Sequence, residues 1–101
     1  MLRVLSAFWR DAEHVLLQMP PGRQADRFLD ELDAAVLRVA ADPSSLPWFP
    51  QASSSDTRFK RVGRFPYLVL FSTADPAETV VFALIHDATG PRRIAAAERR
   101  V

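Results

Sequence analysis

The chain has 101 residues, 49% of them hydrophobic, and no Cys, which predicts one domain with a real core and excludes disulfides, thiolate metal sites and a catalytic cysteine. Its longest apolar runs, residues 67–71 and 80–85, are too short to span a bilayer and no signal peptide is evident, so we expect a cytoplasmic protein without a membrane partner. The net charge of +1 is uneven, since residues 1–50 carry five Arg against seven Asp/Glu and residues 51–101 carry eight Lys/Arg against five, which indicates an anionic partner or simply a solvated face.

The N-terminal half predicts a short strand and two helices. Residues 2–5 are an apolar run typical of a strand, and Ser6 is placed to cap the helix that follows. Apolar residues then recur at helical spacing until Pro20-Pro21-Gly22: Phe8, Ala12, Val15, Leu16 and Met19. A second apolar stripe extends from Ala25 to Ala40 and ends before Pro43. Because few residues connect the two stripes, we expect an antiparallel helical hairpin.

Residues 42–56 predict a long loop, rich in Pro and Ser, with Trp48 and Phe49 in its middle. Two roles are open for these aromatic side chains. They either hold the loop onto the core or stack on a ligand.

The second half predicts strands at residues 58–62, 67–72 and 79–85, with a turn at 74–77 between the last two. The last two strands are apolar at nearly every position, which indicates burial on both faces. The helical hairpin covers one face, so the long loop, the tail 92–101 or another protein must cover the other. We therefore expect an α+β fold spanning residues 1–101. A helical hairpin would pack on one face of a small antiparallel sheet of three to four strands, and Ile94–Ala97 would form a short helix or a frayed terminus.

A basic segment precedes the apolar strand at 67–72. It contains Arg58, Lys60, Arg61 and Arg64, and no acidic residue occurs between Asp56 and Asp75. These cations either contact an anionic partner, for which arginine's planar fork is suited, or protect an edge strand from pairing with other chains.

His86 is the imidazole nearest to this basic segment in the predicted sheet. It could shuttle a proton in RNA cleavage, with Lys60, Arg61 and Arg64 stabilising the phosphorane charge. The alternative is a hydrogen-bonded structural histidine at the end of a strand. His14 has no candidate partner, and two histidines without an acidic cluster predict no metal site.

Several motifs, in this order and spacing, resemble the ParE/RelE toxin superfamily. They are Val-Gly-Arg-Phe-Pro-Tyr-Leu-Val-Leu-Phe at 62–71, Val-Val-Phe-Ala-Leu-Ile-His at 80–86, Gly-Pro-Arg-Arg at 90–93, and Arg-Phe-Leu-Asp-Glu-Leu-Asp-Ala-Ala at 27–35. The most specific is the step Arg64-Phe-Pro-Tyr67 into an apolar strand, followed by a strand that ends in His86. Helix one is shorter than is usual in the family, which would fit a natural start upstream of Met1.

The resemblance implies a toxin of a bacterial plasmid-stabilisation type II toxin-antitoxin module, neutralised by a cognate antitoxin in a hetero-oligomer. RelE-like members cut mRNA on the ribosome, whereas ParE-like members, which this chain resembles more, poison DNA gyrase without being enzymes. Nuclease members place an arginine near the position of Tyr67, a basic residue near Ala88 and Thr89, and often Tyr or His near the C-terminus. This chain departs at each position, which favours gyrase over the ribosome and mRNA. Asp87-Ala88-Thr89 also departs from many ParE-like members, so an inactive orphan is a third alternative.

The resulting site predictions are as follows. We expect the target to contact basic side chains, namely Arg58, Lys60, Arg61, Arg64, Arg92 and Arg93. We expect an antitoxin segment to lie across the apolar sheet face at Tyr67, Val69, Phe71, Val81 and Ala83. If the chain were a nuclease, Lys60, Arg61, Arg64 and His86 would be its catalytic set. We predict no cofactor and no metal.

Overall fold

The computed structural model describes all residues 1–101 and confirms the α+β fold. In chain order the elements are β1 (Leu2–Val4), α1 (Ser6–Leu17), α2 (Arg23–Ala41), a 3-10 turn (Pro43–Ser45), β2 (Thr57–Arg61), β3 (Tyr67–Asp75), β4 (Glu78–His86) and α3 (Pro91–Glu98). The strands form one sheet in the order β1-β4-β3-β2. None of the helices combines the length and apolar character that a membrane span requires.

The sheet is mixed rather than wholly antiparallel. Strands β2, β3 and β4 form the predicted antiparallel meander, with Tyr67 opposite His86. Strand β1, however, lies parallel to β4, with Leu2 opposite Thr79 and Val4 opposite Val81. The expectation of an antiparallel sheet is therefore correct for β2, β3 and β4 and wrong for β1. The partner of β1 is β4, which follows both helices and two further strands and runs in the same direction as β1.

Both N-terminal helices form where their apolar stripes predict. They bury seven side chains against one face of the sheet: Phe8, Ala12 and Val15 from α1, and Phe28, Leu32, Ala35 and Val39 from α2. The predicted cap of α1 is wrong, because the N-cap residue is Leu5 and Ser6 is already helical. The Ser6 hydroxyl instead accepts a hydrogen bond from Arg10 at 3.3 Å.

The opposite face of the sheet is covered by the chain itself. A second core cluster joins the strand residues Leu68, Leu70 and Phe82 to Phe49 of the long loop and Ile94 of α3. Both predicted covers, the long loop and the tail, are therefore used, and α3 is a packed helix rather than a frayed end.

Burial of both faces corrects the predicted antitoxin contact. Val69, Phe71, Val81 and Ala83 are each 0% exposed, so none of their side chains presents a surface to a partner. Of the five predicted antitoxin-binding residues, only Tyr67 keeps part of its side chain accessible.

A β-bulge in β4 determines which of the side chains of this strand face each of the two core clusters. Leu70 lies opposite Ala83 whereas Phe71 lies opposite Val81, so Phe82 is an extra residue on β4. Phe82 and Ala83 consequently both belong to the second cluster, while Val81 belongs to the first.

Candidate functional site

Arg58 holds the long loop against β2. Its guanidinium stacks on the indole of Trp48, 3.4 Å from the ring centroid. The same group donates hydrogen bonds to the Thr73 hydroxyl at 3.3 Å and to the carbonyl oxygens of Ser44, at 3.2 Å, and Leu46. Because these contacts occupy the guanidinium within the chain, Arg58 is a structural residue rather than a free target-binding cation.

The loop aromatics divide between two roles. Phe49 is buried and meets Phe59 edge to face at 5.6 Å, so it holds the loop onto the core. Trp48 is 50% exposed and provides the ring on which Arg58 stacks. The group that stacks on Trp48 is therefore Arg58 of the same chain and not a ligand.

The C-terminal ends of β2 and β4 lie beside the N-terminal end of β3, at one end of the sheet. The rings of Tyr67 and His86 are in edge contact, with centroids 5.3 Å apart. Asp87 follows β4 and places Oδ2 3.2 Å from the Arg61 guanidinium and Oδ1 3.2 Å from Nδ1 of His86. Its backbone N–H donates to the Pro66 carbonyl at 2.9 Å, which fixes the residue in place. A carboxylate therefore lies beside two of the predicted catalytic groups.

His86 has two competing contacts at Nδ1. The backbone N–H of Ala88 donates to this nitrogen at 2.9 Å, which requires it to be unprotonated. The Asp87 carboxylate at 3.2 Å would instead require a proton there. We assign the first arrangement, because the contact is shorter and the backbone fixes the donor. In this arrangement Nδ1 of His86 accepts the Ala88 N–H, so its contact with Asp87 is not a hydrogen bond.

The four predicted catalytic residues do not converge on one site. Lys60 donates to the backbone carbonyl of Arg61 at 3.1 Å, and the Arg61 guanidinium is paired with Asp87. Arg64 lines a groove beside α2, whereas His86 lines a different groove beside α1 and α3. No groove of the molecule contains more than one of the four side chains.

The groove that contains His86 has a volume of about 510 Å³ and lies between α1, the end of β4 and α3. Asp11 and Arg100 lie within it as a two-pronged ion pair, with N–O distances of 2.7 and 3.3 Å. Arg100 also donates to the Phe82 carbonyl at 2.9 Å, and Asp11 accepts the Leu84 N–H at 3.1 Å. Since β1 pairs only as far as Val81, these two side chains satisfy the free edge of β4 beyond it.

The comparison with known families agrees with this architecture. Residues 6–90 match the family model described as the ParE toxin of type II toxin-antitoxin system, parDE. The chain belongs to the ParE toxin family. The matched region contains α1, α2 and strands β2 to β4, and α3 follows it. A search of curated proteins finds no significant relative.

Three of the predicted target-binding residues remain free in this ParE-family toxin: Arg64, which lies beside α2, and the pair Arg92 and Arg93. Both are exposed near the start of α3, and neither forms an ion pair or a side-chain hydrogen bond. Arg93 also lines the groove that contains His86. The toxin has no cluster of three or more His, Asp or Glu side chains that could hold a metal.

Sequence reasoning missed the carboxylate that joins α3 of the toxin to the long loop. Glu98 accepts hydrogen bonds from the N–H groups of Ser53 and Ser54, both at 2.9 Å, and from the hydroxyls of Ser53 and Thr57 at 3.0 and 3.1 Å. We call this set the Glu98 clasp. A signal was present, because Glu98 is the single acidic residue after Asp87 and the loop is rich in serine.

Proposed function

We propose that this ParE-family toxin inhibits growth by binding and poisoning DNA gyrase, and that a cognate antitoxin neutralises it. Family membership supports the toxin role and implies an antitoxin partner. The observation that favours binding over RNA cleavage is the position of Asp87, beside both Arg61 and His86.

The negative charge of Asp87 opposes phosphate binding at this end of the sheet. A phosphate about 5 Å from a carboxylate is repelled by about 3 kcal/mol at an effective dielectric constant of about 20. The attraction of Arg61 at a similar distance is of the same size, so the two charges largely cancel. A developing phosphorane would therefore gain little from this pair, whereas electrostatic catalysis needs uncompensated positive charge.

We assign the gyrase contact to Arg92 and Arg93. Both guanidiniums are exposed and unpaired, so they can reach an acidic surface without first breaking an internal ion pair. Arg58 is engaged with the loop and Arg61 with Asp87, which removes them from this set.

A supercoiling assay with purified gyrase tests the assignment. We expect the toxin to inhibit supercoiling and to accumulate cleavage complexes, and Arg92→Gln/Arg93→Gln to need at least about tenfold more protein. Arg10→Gln/Arg99→Gln removes the same charge from two other exposed positions and serves as the matched control. Absence of inhibition and of cleavage complexes at high toxin concentration would remove gyrase as the target.

A ribosome-dependent mRNA endonuclease is the second candidate, favoured by His86 and the unpaired Arg93, which line one groove. Induction in a bacterial host without antitoxin separates the candidates. Gyrase poisoning predicts growth arrest with an SOS response that His86→Ala retains. Cleavage of translated mRNA without an SOS response, lost in His86→Ala, would instead establish the nuclease. No arrest with either protein would indicate an inactive orphan.

A further inference from the structure

Arg64 lies apart from the other cations of the basic segment. It lines a groove of about 670 Å³ between the first half of α2 and the connection from β2 to β3. The helix contributes Arg23, Arg27 and Glu31, which are four residues apart and share one helix face. The connection contributes Gly63, Arg64 and Phe65.

The two walls of this groove are held in a defined arrangement. Phe65 packs edge to face on Phe28 of α2, with ring centroids 5.2 Å apart. Gly63 has a φ of +52°, and a Cβ at this position would lie 2.6 Å from Oε2 of Glu31. A side chain at this position would displace the Glu31 carboxylate, so glycine allows the connection and Glu31 to lie side by side.

The three arginines of the groove have no partner within the molecule. Arg23, Arg27 and Arg64 are exposed, and none forms an ion pair or a side-chain hydrogen bond. Other arginines of the chain are neutralised, as Arg61 is by Asp87 and Arg100 by Asp11. Three guanidiniums that form no internal ion pair and surround one concavity are suited to bind carboxylates through two-pronged hydrogen bonds.

We propose that this groove binds an acidic segment of the antitoxin, whose carboxylates contact Arg23, Arg27 and Arg64. The inference rests on the proposed neutralisation by an antitoxin and adds the surface at which it occurs. It also replaces the buried sheet face, where Val69 and Phe71 have no exposed area.

The surrounding charges favour a peptide over a nucleic acid. Glu31 lies in the groove itself, and Asp26, Asp30 and Asp33 are exposed or partly exposed on neighbouring turns of α2. A nucleic acid carries a charge at every nucleotide, so it cannot avoid repulsion by these four carboxylates. A peptide can space its carboxylates, direct a basic side chain to Glu31 and lay an apolar side chain on Phe65.

The test uses the purified product of the reading frame adjacent to the toxin gene as the antitoxin probe. Calorimetry would compare the wild-type toxin with Arg27→Gln/Arg64→Gln, and with Arg10→Gln/Arg99→Gln as the control of equal charge. We expect the groove variant to bind on the order of tenfold more weakly and the control to match the wild type. Circular dichroism would verify that all three proteins are folded, as expected for exposed substitutions.

The outcomes separate this inference from the proposed function. If the antitoxin binds the groove variant as tightly as the wild type, the groove assignment is wrong and neutralisation stands. If the antitoxin product does not bind wild-type toxin at all, both proposals fail. A 20-bp DNA duplex is the second probe. If the wild type binds the duplex and the groove variant loses that binding while retaining the antitoxin, the groove is a nucleic-acid site.

Discussion

The Glu98 clasp provides the sharpest test of how this fold is held together. Its carboxylate joins α3 to the loop of residues 42–56, and these two segments cover the second face of the sheet. The change to make is Glu98→Gln, which keeps the size of the side chain and one acceptor oxygen. It removes the charge and one of the two oxygens that receive four hydrogen bonds.

The expected loss follows from those four bonds. Hydrogen bonds to a charged acceptor contribute about 1.5–3 kcal/mol when buried, and exposed donors recover part of this from water. Ser53 and Ser54 are exposed and would be rehydrated, whereas Thr57 is only 3% exposed and would not. We therefore expect Glu98→Gln to lower the free energy of unfolding by about 1–2 kcal/mol. For a domain of this size the corresponding drop in melting temperature is about 5–10 °C.

The effect should depend on pH with a definite sign. Burial acts to raise the pKa of Glu98, but the N–H groups of Ser53 and Ser54 and the hydroxyls of Ser53 and Thr57 outweigh it and lower that pKa below its ordinary value. A lowered pKa in the folded state contributes stability above the unfolded pKa of about 4.3. That stability is lost as the pH falls through the folded pKa. The gap between wild type and Glu98→Gln should therefore be full at pH 7 and shrink in acid.

Thermal unfolding followed by circular dichroism at pH 7 and about pH 3.5 would measure this gap. Glu13→Gln is the control, since Glu13 is exposed on α1 and has no hydrogen bond or ion pair. Equal melting temperatures for wild type and Glu98→Gln at pH 7 would refute the clasp. A gap that stays undiminished in acid would refute its electrostatic origin.

Three further changes test other contacts. Asp11→Ala removes the partner of Arg100, whose side chain is 33% exposed, and the acceptor of a β4 amide, so we expect a loss of about 1–2 kcal/mol in urea unfolding, and a loss below about 0.5 kcal/mol would contradict it. Gly63→Ala forces a side chain into the left-handed region and against Glu31, so we expect a loss of about 1–2 kcal/mol, which an unchanged melting temperature would disprove. Arg58→Met keeps the side-chain stem but removes the guanidinium that holds the loop, so we expect several-fold faster proteolysis within residues 42–56 and an unchanged circular dichroism spectrum. Equal cleavage rates for the variant and the wild type would argue against the stacking role.

The main elements of the fold could be predicted because their signals are local. Each N-terminal helix carries its own apolar stripe, and β3 and β4 are apolar on both faces. The parallel pairing of β1 could not be predicted, because a strand of three residues specifies no partner. The bulge at Phe82 was likewise hidden, since no Gly or Pro marks it in the sequence.

The candidate site was less predictable because its charges are paired over long distances in the chain. Arg61 and its partner Asp87 are separated by 26 positions, and Arg100 and Asp11 by 89. A count of charges within residues 58–64 cannot anticipate such partners. The count therefore grouped four cations as one basic segment, whereas the fold pairs Arg61 with Asp87 and leaves Arg64 unpaired beside α2.

The separation of free arginines into two sets has a functional consequence. The proposed antitoxin groove contains Arg27 and Arg64, whereas the proposed gyrase contact contains Arg92 and Arg93, so the two proposed functions should be separable by mutation. We expect Arg27→Gln/Arg64→Gln to arrest growth as the wild type does but to be rescued poorly by antitoxin co-expression, because its loss falls on antitoxin affinity alone. Arg92→Gln/Arg93→Gln should not arrest growth, yet should bind the antitoxin normally. Colony counts with and without antitoxin induction measure both effects. If either pair of substitutions abolished toxicity and antitoxin binding together in folded protein, the two surfaces would be one, and an antitoxin that covers the target-binding residues directly would replace this arrangement.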